Sequence, residues 1–180
     1  MKKIFTWMLA VSALFLLAAC SNDEETADEL IEYYNEEWIP IHAMKSAKMD
    51  DAQERLLKIQ EEQEENYRGE AIALYKDEII PSFNEVLERL KSVELEHKEV
   101  KKMNDLQMKA EEFGKTHLKM GIDYFNDDIS DTQYMTHEDE LKEKYDDVLE
   151  YRDKLIEKYD LKYDKEKDKV DGFYELKHKD

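Results

Sequence analysis

The chain has 180 residues, 46 acidic against 27 basic, for a formal net charge of −19, and it carries one cysteine. Glycine and proline together number six, roughly 3% against an average near 12%, which excludes collagen and disfavours turn-rich sandwiches and barrels. One cysteine closes no internal disulfide and supplies no thiolate zinc site. Charged residues make up 41% of the chain, well above the usual figure of about 25%, and point to long helices with solvated faces or to disorder.

Lys2 and Lys3 precede an apolar run from Ile4 to Leu17, followed by Ala18, Ala19 and Cys20. A positive start, an apolar stretch and small closing residues form the pattern of a secretory signal. Ile4 to Ala19 is sixteen residues, short of the roughly 20 a helix needs to cross a bilayer, so a permanent span is the poorer reading. Leu17-Ala18-Ala19-Cys20 resembles the bacterial lipobox. The resemblance implies a diacylglyceryl group on the Cys20 thiol, cleavage before Cys20, and a mature chain of 161 residues. Two acyl chains hold a protein on a membrane stably where one holds it marginally.

The sequence divides into a signal over 1–19, a lipidated tether over 20–26, a helical body over 27–161 and a charged tail over 162–180. Ser21 to Thr26 reads as a polar tether, about 20 Å if extended, which keeps the body close to the membrane. Leu30, Tyr34, Trp38, Ile41, Met49, Ala52, Leu56 and Ile59 recur every three or four residues and form one face of a helix. Glu61, Glu62, Glu64 and Glu65 mark its solvated face or fraying end. A second helix is expected over 68–93, with Ile72, Tyr75, Ile79, Phe83, Val86, Leu87 and Leu90 as its stripe and Gly69 marking the break before it. The third, over 98–125, carries Met103, Leu106, Ala110, Phe113, His117, Met120 and Tyr124.

Residues 126–133, rich in Asp, Asn and Ser, read as a loop. Thr136, with Asp139 three residues on, is the expected cap of a fourth helix. Its stripe is Leu141, Tyr145, Val148, Arg152, Leu155 and Tyr159, and Glu138 with Lys142, Glu140 with Lys144 and Glu150 with Lys154 are i,i+4 pairs. The Lys- and Asp-rich residues 162–180 are expected to be a frayed helix or a disordered tail. The fold class is therefore all-α: an antiparallel bundle of three or four long amphipathic helices, enough for one domain.

Pro40 and Pro81 fall inside helical patterns, where each removes a hydrogen bond and predicts a kink or break. Their surroundings match. Tyr34-Asn35-Glu36-Glu37-Trp38-Ile39-Pro40 aligns with Tyr75-Lys76-Asp77-Glu78-Ile79-Ile80-Pro81 at a period of 41. A duplicated helical unit and chance similarity both account for this, and the lack of a third copy favours chance. Ser82 followed by Glu85 also has capping-box spacing, compatible with a restart after Pro81.

The five histidines are His42, His97, His117, His137 and His178. Glu94 to His97 and Glu175 to His178 have the Glu-x-x-His spacing of carboxylate di-iron bundles, but a helix end and a charged tail are the wrong places for it. His137 to Glu140 resembles the His-x-x-Glu of imelysin-type envelope proteins that handle metal. His117 lies on an apolar stripe, where a hydrogen-bonded core histidine is the usual outcome. Zincin, nucleophile-elbow and phosphate-loop motifs are absent, and the Asp-rich loop lacks the glycine and ligand spacing of an EF-hand. Tyr33, Tyr34 and Trp38 form an aromatic cluster read as packing, and the methionines are read as core filler.

Losing Lys2 and Lys3 with the signal leaves 46 acidic against 25 basic side chains, a net of −21. Nucleic acid binding needs a cationic footprint and is excluded. The partners expected are the membrane, through the lipid anchor, and a cationic protein or peptide. Beyond the lipobox, the mature chain is similar in style to small helical Lys/Glu-rich lipoproteins of Gram-positive bacteria such as the YkyA-type cell-wall-binding group. That resemblance brings no catalytic motif and carries over Cys20 alone. The expectation is a non-enzymatic lipoprotein on the outer face of the bacterial membrane, without a cofactor, acting by binding or as a structural element of the envelope. The alternative is an envelope metal-binding protein using acidic side chains with His97, His137 or His178.

Overall fold

The computed structural model describes residues 23–61, 67–170 and 172–179. The signal, Cys20 and the first residues of the tether lie outside them. Four helices account for most of the described residues. The first, α1, covers residues 23–61 and contains a π-helical segment, Tyr33–Trp38, ahead of its α-helical stretch Ile39–Glu61. The second, α2, begins as Tyr67–Leu74, passes through a π-helical turn, Tyr75–Ile79, and continues as Ile80–Ser92. The third, α3, is Lys98–Phe125, and the fourth, α4, is Asp131–Lys158. Two antiparallel strands, β1 (Leu161–Val170) and β2 (Phe173–His178), close the chain.

The cross-helix bonds fix the topology. Lys48 with Glu85 and Arg89 with Glu37 run in opposite sequence directions, so α1 and α2 are antiparallel. Tyr33 with Asn104, Trp38 with Gln107 and Lys45 with Glu111 run in the same direction, so α1 and α3 are parallel. Lys158 with Glu99 and Tyr145 with Glu111 set α4 antiparallel to α3. The result is an up-down-up-down four-helix bundle, as short connections between amphipathic helices favour.

The expected α3 boundaries coincide with those observed, because its apolar stripe is long and regular. Elsewhere the sequence reading needs correction. Residues 23–26, expected to be tether, are already helical, and Thr26 and Ala27 are buried. The cap of α4 is Ser130, not Thr136: Gln133 N–H donates to the Ser130 hydroxyl, and the Gln133 side chain accepts from Ser130 N–H, a reciprocal capping box. Thr136 instead donates its hydroxyl to Thr132 O one turn back. Lys154 does pair with Glu150 at 2.9 Å, whereas Lys142 reaches forward to Asp146.

Neither proline breaks its helix. Each follows a π-helical segment at the same offset: Ile39 N–H donates to Tyr34 O and Ile80 N–H to Tyr75 O, both five residues back, one residue before the proline. A wider turn just ahead of a ring that lacks an N–H and crowds the preceding carbonyls accommodates it inside a continuous helix. The two heptapeptides aligned at a period of 41 thus share one local geometry. Ser82, rather than restarting a helix, donates its hydroxyl to Ile79 O.

The tail is corrected more thoroughly. The tail over 162–180, expected to be a frayed helix or disordered, places its described residues in the hairpin of Leu161–Val170 with Phe173–His178, with Gly172 at φ +86° between the strands. Leu161 and Leu176 are each 2% exposed and sit in the same core cluster as Leu30, Tyr33, Tyr34, Trp38, Met103 and Leu155. The hairpin therefore covers the end of the bundle where the chain begins.

Candidate functional site

The mixed groove beside Trp38 is built from the middle of α1 outward. The π-helical turn places Trp38, with His42 one turn on and Lys45 two turns on, along the side of α1 that faces α3 and α4. From α3 come Gln107 and Glu111, both 0% exposed, and from α4 come Tyr145, Val148, Leu149 and Arg152. Phe173, on the hairpin, supplies the end wall. Trp38, His42, Lys45, Gln107, Tyr145, Arg152 and Phe173 line an open cavity of about 410 Å³.

Its floor is a closed polar network. The Lys45 ammonium donates to Glu111 Oε1 and Oε2 at 3.0 and 2.9 Å and to the Tyr145 hydroxyl at 2.5 Å. Tyr145 donates in turn to Glu111 Oε2 at 3.0 Å. Gln107 donates to Glu111 Oε1 at 2.6 Å and accepts from the Trp38 indole N–H at 3.3 Å. A buried carboxylate is tolerable only when its charge and lone pairs are met, and here a cation, a phenol and an amide meet them. Burial pulls the Lys45 pKa down, a tendency that the Glu111 charge opposes. Burial and the same carboxylate push the Tyr145 phenol up, so it stays protonated and available as a donor.

One atom of this floor is unmatched. His42 stacks on Trp38 at 3.8 Å between ring centres, and its Nε2 is shut off from solvent with no hydrogen-bond partner among the described residues. Burial first, and the Lys45 charge second, hold its pKa down to about 3. It is therefore a neutral imidazole at ordinary pH. Arg152 lies over Trp38 at 5.6 Å and donates from Nε and Nη2 to Asp153. Glu111, fully buried beneath Lys45, is the one carboxylate of the floor, and none is among the residues that line the open groove.

The acidity is concentrated elsewhere. A cleft of about 560 Å³ between the start of α1 and the 93–97 connection is lined by carboxylates including Glu25, Glu32, Glu36 and Glu94. Its Glu29 has a structural role: it accepts from the backbone N–H groups of Glu96 and His97, the latter at 2.9 Å, and so caps α3 from another helix.

The sequence-predicted histidines do not converge. His97 Nδ1 lies 3.1 Å from Glu29, and His178 Nε2 lies 2.7 Å from Asp28, so each meets α1 and neither uses the glutamate three residues before it for that contact. His137 is stacked between Phe113 and His117, with its Nδ1 3.3 Å from that of His117. Among the described residues no group of three or more His, Cys, Asp or Glu side chains is placed to hold a metal ion. His117 is buried as its stripe position implies.

Lys45, Gln107 and Glu111 were not singled out by the sequence reading. The available signal was polar residues at 107 and 111, one helical turn apart, set among the apolar positions 103, 110 and 118 of a buried face. No family model, curated protein or solved structure matches this chain. Among the described residues no helix is long and apolar enough to cross a membrane.

Proposed function

We propose that the protein is a lipid-anchored component of the bacterial cell envelope, held on the outer face of the membrane through Cys20, and that it acts by binding. The observation that carries the anchor is the coincidence of the chain's one cysteine with the last position of Leu17-Ala18-Ala19-Cys20, directly after a signal-like apolar run. The described fold supports the placement: the chain is already helical at residue 23, the first described residue, so no more than two residues lie between Cys20 and the bundle. An anchored body on so short a tether stays within a few Å of the headgroups.

Binding rather than catalysis is supported by the state of the groove's reactive groups. Lys45, Glu111 and Tyr145 are hydrogen-bonded to one another. Their mutual bonds compensate a buried carboxylate, which is a structural task. What the groove offers a visitor is an aromatic wall, a neutral imidazole and a guanidinium, the mix typical of small-molecule pockets of 300–1,000 Å³.

The anchor is tested by Cys20→Ala in a bacterial host fed radiolabelled fatty acid. Loss of label, with the signal retained at its unprocessed length, is the expected result. Persistent label on the variant contradicts the anchor.

A further inference from the structure

We propose that His117 of α3 and His137 of α4 form a proton-operated latch: a hydrogen bond between their Nδ1 atoms holds the first half of α4 on α3, and a proton on each ring releases it. The two Nδ1 atoms are 3.3 Å apart, and the ring planes differ by 13°. The ring centres are further apart, at 5.4 Å, so each ring turns its Nδ1 corner toward the other. One Nδ1 therefore carries the hydrogen and the other accepts it. The pair lies toward the end of the bundle opposite the hairpin, away from the groove beside Trp38.

The half of α4 joined by this bond has little else to hold it. Val148 and Leu155 are the buried residues of α4, so none lies between Asp131 and Asp147. Its ring contacts with α3 gather around the two histidines. His137 lies on Phe113 at 4.1 Å, and Tyr134 lies on His117 at 4.6 Å and on Tyr124 at 5.0 Å. Further along, Leu141 packs beside Gly114 and Tyr145 donates to Glu111. A segment with few buried apolar contacts is the first to open. His117 is itself buried, so α3 supplies the fixed side of the latch and α4 the movable one.

Proton accounting gives the latch its direction. The first added proton binds Nε2 of the donor ring, leaves the bond in place and makes it charge-assisted. The second has to bind the accepting Nδ1. It removes the acceptor, sets two N–H groups against each other and puts two positive rings in contact. Burial, and then His137, hold the His117 pKa below its ordinary 6.5, while Glu138 of α4 favours the charge. Tyr134 of α4 and Tyr75 of α2, whose phenols burial pushes up, and Tyr124 of α3 complete the surroundings and bring no cation. Once undocked, both rings bind protons at the ordinary histidine value. Docking is therefore secure above about pH 6.5 and is lost as pH falls below it.

The test uses the full chain, labelled with ¹⁵N and held in detergent micelles, taken from about pH 7.5 to about pH 4.5 across the histidine range. Imidazole ¹⁵N shifts of His117 and His137 are expected to show two separated steps, each reported by both rings. Amide protection over residues 134–147 is expected to fall at least about tenfold more than over 148–158, the effect of one histidine across one pH unit. His137→Phe keeps a ring against Phe113 and removes one charge, and cuts that excess to about a third or less. Should His137→Phe misfold, the two measurements on the unaltered protein decide alone. A single independent step at each ring, or equal change of protection in both halves of α4, overturns the latch. An undiminished excess in folded His137→Phe does the same.

Discussion

Asn35 closes the fold by acting as a strand partner for Leu176, a residue 141 positions away. Its side-chain amide donates to Leu176 O at 2.9 Å, and its Oδ1 accepts from Leu176 N–H at 2.7 Å. A single side chain thereby satisfies both backbone groups of the residue that plugs the hairpin into the core. Asn35 lies inside the π-helical segment Tyr33–Trp38, so the feature that accommodates Pro40 also positions the clamp on the hairpin.

Replacing Asn35 with Leu leaves two buried backbone groups unmatched, at about 1–3 kcal/mol each. A loss of about 3 kcal/mol in urea unfolding is expected. Asn35→Asp, which keeps the acceptor for Leu176 N–H but sets a buried carboxylate oxygen against Leu176 O, costs at least as much while it is ionised. Amide exchange at Leu176 accelerates in both variants, and unchanged exchange contradicts the clamp.

Lys45→Met strands Glu111, which is fully buried. Breaking one member of a buried pair typically costs about 3–5 kcal/mol, because the remaining charge has no compensation. The double variant Lys45→Met/Glu111→Gln is expected to recover most of that loss. Equal destabilisation of the single and double variants in chemical denaturation contradicts the network.

Gly114→Ala sets two effects against each other. Helix propensity favours Ala by about 1 kcal/mol. A Cβ there, however, lies 2.9 Å from the Phe83 ring and 3.1 Å from the Tyr145 hydroxyl, and overpacking of a filled site costs about 1–3 kcal/mol. The steric term wins, so a net loss is expected, with a lowered melting temperature as its readout. A raised melting temperature contradicts the close packing of α3 against α2 and α4.

Stability is expected to fall on acidification before carboxylates titrate. His42 is neutral in the fold, its pKa held down to about 3 against an ordinary 6.5, and His117 is shifted in the same direction by burial and by His137. The groups facing His42 are Trp38 and Lys45 of α1, Gln107 of α3, Tyr145 and Arg152 of α4, and Phe173 of the hairpin. The unfolded state binds the extra proton first, so stability present above pH 6.5 is lost as pH falls through the window toward 3. Each such histidine contributes a slope of up to about 1.4 kcal/mol per pH unit. Glu99, lowered chiefly by its bond from Lys158, adds to the loss only below its ordinary range near 4.5. Between pH 6 and 4.5, His42→Phe removes one histidine's share of the slope. An unchanged slope contradicts a neutral buried His42.

Sequence periodicity located the bundle because the stripes are long: Met103, Ala110 and His117 recur every two turns along α3, and burial follows them. The hairpin escaped notice because lysines and aspartates dominate it. Its signals were short: Leu161 and Tyr163 alternating on one side, and the Asp171-Gly172 pair, a hairpin dipeptide. The cap at Ser130 escaped for a related reason, since a Ser/Gln box and a Thr/Asp spacing compete within six residues and local chemistry alone does not rank them decisively. The groove was half visible. Trp38, Tyr145 and Arg152 stood on predicted stripes, but which stripes face one another is a tertiary fact, so the meeting of Lys45, Gln107 and Glu111 was not.

The central claim, a binding protein held to the outer face of the membrane through Cys20, is tested most directly by the intact mass of full-length protein expressed in a bacterial host and recovered from the membrane fraction. The account predicts a chain that begins at Cys20 and carries a diacylglyceryl group on its thiol. A chain that begins at Met1, with Cys20 unmodified, contradicts it.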